Sequence, residues 1–254
     1  METRFSRSRP RAKDTEGIAG VFRRMSDIPV MQSDLLRYAL LATEGGVYSD
    51  LDTVCLKAID AWHETEVTRH HNDTSEQTEK GKSFARPAII VGIEVDAASG
   101  THGTALWQGK WPTPLSVVQW TFAGARGHPI FIDVMRRVVG NVNTQWPMSG
   151  PVRAKLAEID VVRVTGPVTL TDSVLRYLRA KYNTTWPDLR DVPEEGVLFG
   201  DEATPADVLV LSVTAFSPGV GNFGSKSISS ESALVQHLFA GSWRKGMSYD
   251  RRAV

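Results

Sequence analysis

Two aspartates separated by one residue, Asp50 and Asp52, are the side chains in this sequence best suited to chemistry. They follow a short run that favours a strand, Val47 to Ser49, and side chains two positions apart on a strand point to the same side. Two carboxylates held together repel each other unless a cation lies between them or one takes up a proton. The pair therefore indicates either a divalent-cation site with a phosphorylated ligand or a solvated acidic turn.

A helix must precede this strand and bring a second charged pair to it. The segment "VMQSDLLRYALLATEGG" has apolar residues on one face, Ser33 as a candidate N-cap, and two glycines at its end. Within it, Asp34 and Arg37 are three residues apart and share a face. An aspartate can bind sugar hydroxyls, and the fork of an arginine can bind a hydroxyl or a phosphate. We therefore predict one site shared by this pair and by Asp50 and Asp52.

The same aspartates also fit the D-x-D-x-T signature of aspartyl-phosphate phosphatases. In that chemistry Asp50 would be the nucleophile and Asp52 the general acid, and "GDEATPAD" offers Asp201 and Asp207 as further magnesium ligands. The phosphatase fold requires a buried hydrophobic strand that runs into Asp50, whereas a helix and two glycines occupy that space. The context disfavours this alternative.

The composition is that of an ordinary globular protein. The 254 residues include 29 basic and 29 acidic side chains, so there is no general attraction to nucleic acid or to an anionic membrane. The single cysteine, Cys55, excludes an intramolecular disulfide, and no apolar run approaches the length of a membrane-spanning helix. Apolar strands ("PAIIVGIEV" and "DVLVLSV") alternate with amphipathic helices ("HPIFIDVMRRVV" and "TDSVLRYLRAKY"), and this alternation predicts an α/β fold.

We predict three parts in the chain. Residues 1–24 are expected to be a disordered basic N-terminus, residues 25–245 a single folded domain, and residues 246–254 a C-terminal tail. Within the domain, the segment 63–83 is polar throughout and is predicted to be a mobile surface loop.

Six blocks of this sequence, in order, resemble glycosyltransferase family 32. The blocks are "SDLLRYALLATEGGVYSDLD", "GIEVD", "VVQWTFAGARGHPIFIDVMRRV", "TGPVTLTDSVLRYL", "AFSPGVGNFGSKS" and "ALVQHLFAGSW". The resemblance extends from about residue 25 to 245 and implies a GT-A-type, Rossmann-like catalytic domain that binds a nucleotide sugar. It also implies that the N-terminal strand–helix units of that fold are missing, because only about 30 residues precede Asp34.

The resemblance further implies a retaining, metal-dependent hexosyltransferase that moves mannose from GDP-mannose to a mannose of an N-glycan, in alpha-1,6 linkage. Mn2+ or another divalent cation would be held by Asp52, His237 and Asp50, with Asp50 and Asp52 as the catalytic pair. The cation would offset the charge that grows on the leaving diphosphate. The implied donor-binding residues are Asp34, Arg37, Tyr48, Asp50, Gln119, Trp120, Asp172, Ser242 and Trp243.

The implied setting is the lumenal side of the Golgi membrane of a fungus, although the chain carries neither an anchor nor a signal peptide. The implied partners are the nucleotide sugar, a glycan or glycoprotein acceptor and subunits of a mannosyltransferase complex, with no nucleic acid. Leu238 and Ala240 replace a histidine and an acidic residue that are common in the family. A truncated or non-catalytic member that acts as a binding or partner subunit is therefore the alternative, and we expect the isolated chain to bind Mn2+–GDP weakly and to transfer mannose poorly.

Overall fold

The structure, a computed structural model, describes residues 12–63, 66–70, 80–82, 86–97, 111–145, 158–201 and 203–241. The helices in this part of the chain are α1 (Ala12–Arg24), α2 (Pro29–Thr43), α3 (Pro129–Gln145), α4 (Glu158–Val164), α5 (Pro167–Tyr182) and the short α6 (Val213–Phe216). The strands are β1 (Gly46–Ser49), β2 (Thr53–Cys55), β3 (Glu66–His70), β4 (Lys80–Lys82), β5 (Ile89–Asp96), β6 (Leu115–Val117), β7 (Thr121–Gly124), β8 (Val197–Phe199), β9 (Val208–Leu211) and β10 (Val235–His237). Two 3-10 turns add Ile59–Trp62 and Trp186–Leu189.

A mixed sheet forms the centre of the described fold. Its strands follow the order β1-β7-β5-β9-β8-β3-β4, and β6 also pairs with β5. The central strands β5 and β9 are parallel, whereas β7 runs antiparallel to both β5 and β1. This architecture confirms the predicted α/β class and is consistent with the GT-A-like fold that the resemblance implies.

The two faces of the sheet are covered by different hydrophobic clusters. Along β9, Val208 and Val210 pack into a large cluster with residues of α1 to α5, because side chains alternate across a strand. The intervening Leu209 and Leu211 pack on the other face with Trp62 and other members of a smaller cluster. Because β9 is buried on both faces, all of its residues must be apolar, and its sequence shows no alternation of apolar and polar residues.

The prediction of a disordered segment over 1–24 is wrong for α1. Ile18, Val21, Phe22 and Met25 recur at helical spacing, and Val21 and Met25 are buried in the large cluster. The side chain of Arg24 also donates a 2.6 Å hydrogen bond from Nη1 to Asn143 Oδ1 on α3. Burial of this stripe offsets the ordering entropy of a basic segment. Residues 1–11, and the tail 246–254, lie outside the described residues.

The prediction of a loop over 63–83 is wrong for two segments of it. Residues 66–70 form β3, which pairs in parallel with β8, and residues 80–82 form β4, which pairs antiparallel with β3. Val67 is 1% exposed, so one apolar side chain anchors an otherwise polar strand to the sheet. The positions 71–79 lie outside the described residues. Within the described residues we find no helix with the length and hydrophobicity needed to cross a bilayer.

Candidate metal centre

A two-glycine turn connects α2 to β1. Gly45 has φ +72° and Gly46 has φ +101°, and a Cβ on Gly45 would lie 2.7 Å from the backbone nitrogen of Arg126. Only glycine avoids both the left-handed strain and this collision. The helix begins at Pro29 and not after the predicted N-cap Ser33, because proline fits the first turn of a helix without a side-chain cap.

The first strand brings Asp50 to the side chain of Arg37. Arg37 Nη1 lies 3.3 Å from Asp50 Oδ1, and Arg37 Nη2 lies 3.1 Å from Asp34 Oδ1. Tyr48 packs its ring 4.8 Å from the guanidinium and donates a 2.7 Å hydrogen bond to Asp50 Oδ1. Arg37 Nη1 also donates to the backbone oxygen of Gln119 at 2.9 Å. The structure thus brings Asp34, Arg37 and Asp50 into one charged network.

Burial controls the protonation of this network. Asp34 is 2% exposed, and burial raises its pKa although Arg37 and the hydroxyl of Thr165, which donates at 2.6 Å, both oppose the rise. Burial lowers the pKa of Arg37, but the charges of Asp34 and Asp50 outweigh that effect and leave its pKa raised. Burial also raises the pKa of Tyr48 to about 12. Arg37 is therefore a permanent cation, and Tyr48 stays a hydrogen-bond donor at neutral pH.

The third ligand candidate arrives from the far end of the sequence. Strand β10 pairs antiparallel with β2, which places His237 opposite Thr53. His237 Nε2 then lies 3.3 Å from Asp52 Oδ1, and the backbone nitrogen of Ala240 donates to Asp52 Oδ2 at 3.0 Å. One potential ligand atom from each of Asp50, Asp52 and His237 lies within 4.8 Å of the other two.

Aromatic rings surround the imidazole of His237. The indole of Trp120 stacks on it with a centroid distance of 4.6 Å and an interplanar angle of 29°, and Phe239 meets its edge at 4.2 Å. The backbone nitrogen of Phe239 donates to His237 Nδ1 at 3.2 Å, so the neutral ring carries its proton on Nε2, toward Asp52. Phe239 adopts φ +50°, an unfavourable conformation for a bulky residue.

This set of donors fits a divalent cation. Two carboxylates and one imidazole are ligands that Mn2+ and related ions accept. The side chains of Asp50 and Asp52 are 27% and 28% exposed, so further ligands can approach from solvent. Tyr48 and Arg37 both engage Oδ1 of Asp50, and among the described residues we find no donor to its other oxygen.

Two further predicted site residues, Gln119 and Asp172, do not lie beside the three candidate ligands. Gln119 is buried beneath the Arg37 network, where its side-chain nitrogen donates to the hydroxyl of Tyr38 and to the backbone oxygen of Thr165. Asp172 does not join the cluster, because it is exposed on α5 and lies 3.6 Å from Arg137 of α3. Ser242 and Trp243 lie outside the described residues.

The geometry contradicts the phosphatase alternative. Strand pairing aligns the start of β1 with the end of β7 and the starts of β5 and β9. Asp50, which follows β1, and Asp207, which precedes β9, therefore lie at opposite ends of the strands. Asp207 accepts hydrogen bonds from Tyr177, Lys181 and Tyr182 at 2.7 to 2.8 Å. Burial alone would raise its pKa, but these bonds and a contact with a histidine hold the pKa of Asp207 well below its usual value. Asp207 is therefore a buried carboxylate whose hydrogen bonds are made within the protein, and its role is structural.

Two residues that the sequence did not single out complete the centre. Thr165 holds Asp34 from the start of the "TGP" turn, a block whose only signal was its likeness to the family. Phe239 forms one wall beside His237, and nothing in its sequence context distinguished it from a core phenylalanine.

Comparison with known proteins agrees with this site. Residues 6–68, which include α2, β1 and both aspartates, match the family described as "Glycosyltransferase sugar-binding region containing DXD motif". This part of the chain is accordingly similar to the DXD-containing sugar-binding region of glycosyltransferases.

The chain is a homologue of the fungal initiation-specific alpha-1,6-mannosyltransferases. It is 34% identical over 220 residues to that protein of Schizosaccharomyces pombe, an alignment that covers 87% of this chain and 48% of the relative. It is 30% identical over 229 residues to that of Candida albicans, with coverage of 85% and 54%. The chain thus spans about half the length of these curated relatives. Among solved structures, "PaToxG Glycosyltransferase" aligns with 68% of this chain and 47% of its own, at a TM-score of 0.37 and 15% identity, which is too low to carry a conclusion.

Proposed function

We propose that this chain is the metal-dependent core of a hexosyltransferase that transfers mannose from GDP-mannose to a mannose of an N-glycan in alpha-1,6 linkage. The observation that carries this proposal is the convergence of Asp50, Asp52 and His237, whose ligand atoms lie within 4.8 Å of one another. The names of the relatives support the sugar and the linkage. The family resemblance supports the guanine nucleotide, the retaining outcome, and a lumenal Golgi setting with glycan acceptors and complex subunits as partners.

Asp50, Asp52 and His237 would hold Mn2+ or another divalent cation. Bound there, the cation would supply positive charge that offsets the negative charge growing on the diphosphate as it leaves. Asp52 is fixed for this task by the backbone nitrogen of Ala240. To hold a cation through Nε2, His237 would need to carry its proton on Nδ1, and Nδ1 would then not accept the hydrogen bond from the backbone of Phe239.

Arg37 and Tyr48 prepare Asp50 for the same task. Both contact Oδ1 of Asp50, which fixes the carboxylate and directs its other oxygen away from them. Arg37 is 6% exposed and pairs with both Asp34 and Asp50, so its single positive charge reduces the repulsion between these two carboxyl groups beneath the site. Such outer partners typically change metal affinity by about 10- to 100-fold.

Cation binding and sugar transfer test the proposal together. Mn2+ affinity is measured by calorimetry with and without GDP, and transfer is measured with GDP-[14C]mannose and an alpha-mannose oligosaccharide. We expect Asp52→Asn to lower Mn2+ affinity by more than the roughly 100-fold that loss of an outer partner costs, and to abolish transfer. The control is Asp60→Asn, since Asp60 is a 74% exposed aspartate paired with Arg86 outside the site.

The two measurements separate the alternatives. Unchanged Mn2+ affinity in Asp52→Asn, or an equal loss in Asp60→Asn, would contradict the metal centre. Tight Mn2+ and GDP binding without any transfer would instead assign the chain to the non-catalytic binding role.

A further inference from the structure

We propose that Trp120 is a positioning residue that holds His237 and Asp50 in the arrangement needed for cation binding, and that its indole does not contact the donor. This inference rests on the proposed metal centre and gives a role to a residue whose ring is largely covered. Trp120 is 9% exposed, and it packs within the smaller hydrophobic cluster.

The indole of Trp120 is held by a hydrogen bond and by contacts with two aromatic rings. Its Nε1 donates a 3.0 Å hydrogen bond to the backbone oxygen of Phe216, at the end of α6. Its face stacks on the imidazole of His237 at 4.6 Å, and Phe239 meets its edge at 5.5 Å. The hydrogen bond sets the orientation of the indole, and the indole in turn restricts rotation of the imidazole about its broad terminal torsion.

The backbone of the same residue holds the other side of the centre. The backbone nitrogen of Asp50 donates to the backbone oxygen of Trp120 at 2.8 Å. The preceding residue, Gln119, accepts from Arg37 through its own backbone oxygen. Trp120 thus contacts Asp50 through its backbone oxygen and His237 through its side chain.

His237 needs this support because its strand is weak. Strand β10 has three residues and, within the described residues, pairs only with the three-residue β2 in a separate two-stranded sheet. A two-stranded sheet of this length is marginally stable alone. Burial of Val235 in the smaller cluster connects this strand to the main body of the protein, and the stack of His237 on Trp120 adds a second connection at the histidine itself.

The test compares Trp120→Leu, Trp120→Phe and the matched control Trp62→Leu. Trp62 is 1% exposed, lies in the same cluster and contacts the ring of Phe216 at 5.1 Å, so its loss imposes a comparable core defect. Mn2+ affinity is measured by calorimetry, and the ring protons of His237 are observed by NMR in the metal-free protein with labelled histidine. Melting temperature is recorded for each variant.

We expect Trp120→Leu to weaken Mn2+ binding roughly three- to tenfold, the range that loss of an aromatic pair supports. We expect Trp120→Phe to recover part of the loss and Trp62→Leu to show none. The part of the ring-current shift of His237 that comes from Trp120 should be lost in Trp120→Leu, which changes the His237 spectrum, whereas the spectrum should persist in Trp62→Leu. Equal Mn2+ losses in both leucine variants, or an unchanged His237 spectrum in Trp120→Leu, would overturn the proposal.

The NMR arm separates this inference from the function on which it rests. If the wild-type chain binds no Mn2+, the proposed function fails, whereas the His237 spectrum still decides whether Trp120 positions the ring.

Discussion

Replacing Arg37 by methionine removes the cation from a buried site that holds the carboxylate of Asp34. The side chains of Arg37 and Asp34 are 7% and 3% exposed, so water cannot take over the lost interaction. Removing one partner of a buried pair typically costs about 3–5 kcal/mol, because the other charge stays buried and uncompensated. For a domain of this size, that corresponds to a fall in melting temperature of roughly 6–20 °C.

The size of this defect should depend on pH in a defined direction. Burial already raises the pKa of Asp34, and Arg37 is the main group that opposes the rise. A carboxyl group with a raised pKa in the folded state contributes stability that is complete below the unfolded pKa and is lost as pH rises through the folded pKa. The Arg37→Met defect should therefore be larger at pH 7.5 than at pH 5, because protonation of Asp34 as the pH falls reduces the uncompensated buried charge.

The assay is thermal unfolding at both pH values, with two comparison variants. Asp34→Asn/Arg37→Met should recover much of the loss, because a neutral amide needs no cation. Arg137→Met is the control, since Arg137 pairs with Asp133 at the surface and such pairs are worth at most about 1 kcal/mol. A defect no greater than that of Arg137→Met, or equal at both pH values, would refute the reasoning.

Four further substitutions test other parts of the structure. Tyr48→Phe removes the 2.7 Å hydrogen bond to Asp50 and should weaken Mn2+ binding about tenfold in calorimetry, with little change in melting temperature. Asp207→Asn should lower stability at pH 7. Because a depressed pKa contributes stability above the unfolded pKa that is lost as pH falls, the variant should also lose less stability between pH 5 and pH 3 than the wild type does. Gly46→Ala should cost about 1–2 kcal/mol from left-handed strain alone, and Gly45→Ala should cost more, because its Cβ would lie 2.7 Å from a backbone nitrogen. Equal urea midpoints for the two alanine variants would show that the collision is relieved.

The parts of the fold with a strong periodic signal could be predicted from the sequence. The apolar runs of β5 and β9 are long enough to identify buried strands, and α2 carries a clear apolar face that ends in two glycines. The segments for which the prediction is wrong, α1 and β3, have weak periodic patterns in their sequences. In α1 and the residue that follows it, a stripe of four apolar residues lies beside basic ones, and β3 contains a single buried valine. Both become regular because they pack on elements that are distant in sequence.

The candidate site could be predicted only in its local part. Asp34, Arg37 and Asp50 lie within one helix–turn–strand unit, so short-range geometry relates them. The approach of His237 followed from family likeness and not from any pattern in its own segment. The stacking of Trp120 on that ring depends on tertiary packing, about which local propensity carries no information.

The pairing of β10 with β2 determines when the cluster of Asp50, Asp52 and His237 can form during folding. The contact between Ala240 and Asp52 joins positions 188 residues apart in the chain. Closing so long a loop costs little more entropy than closing a loop of half that length. However, two strands of three residues form few hydrogen bonds with each other. Closure of the loop therefore depends on the main sheet, which must form first. During synthesis, Asp50 and Asp52 are therefore made well before His237, the residue that pairing of β10 with β2 brings to them. A chain that ended before β10 would lack His237, so the proposed cation site would be complete only after β10 has paired with β2.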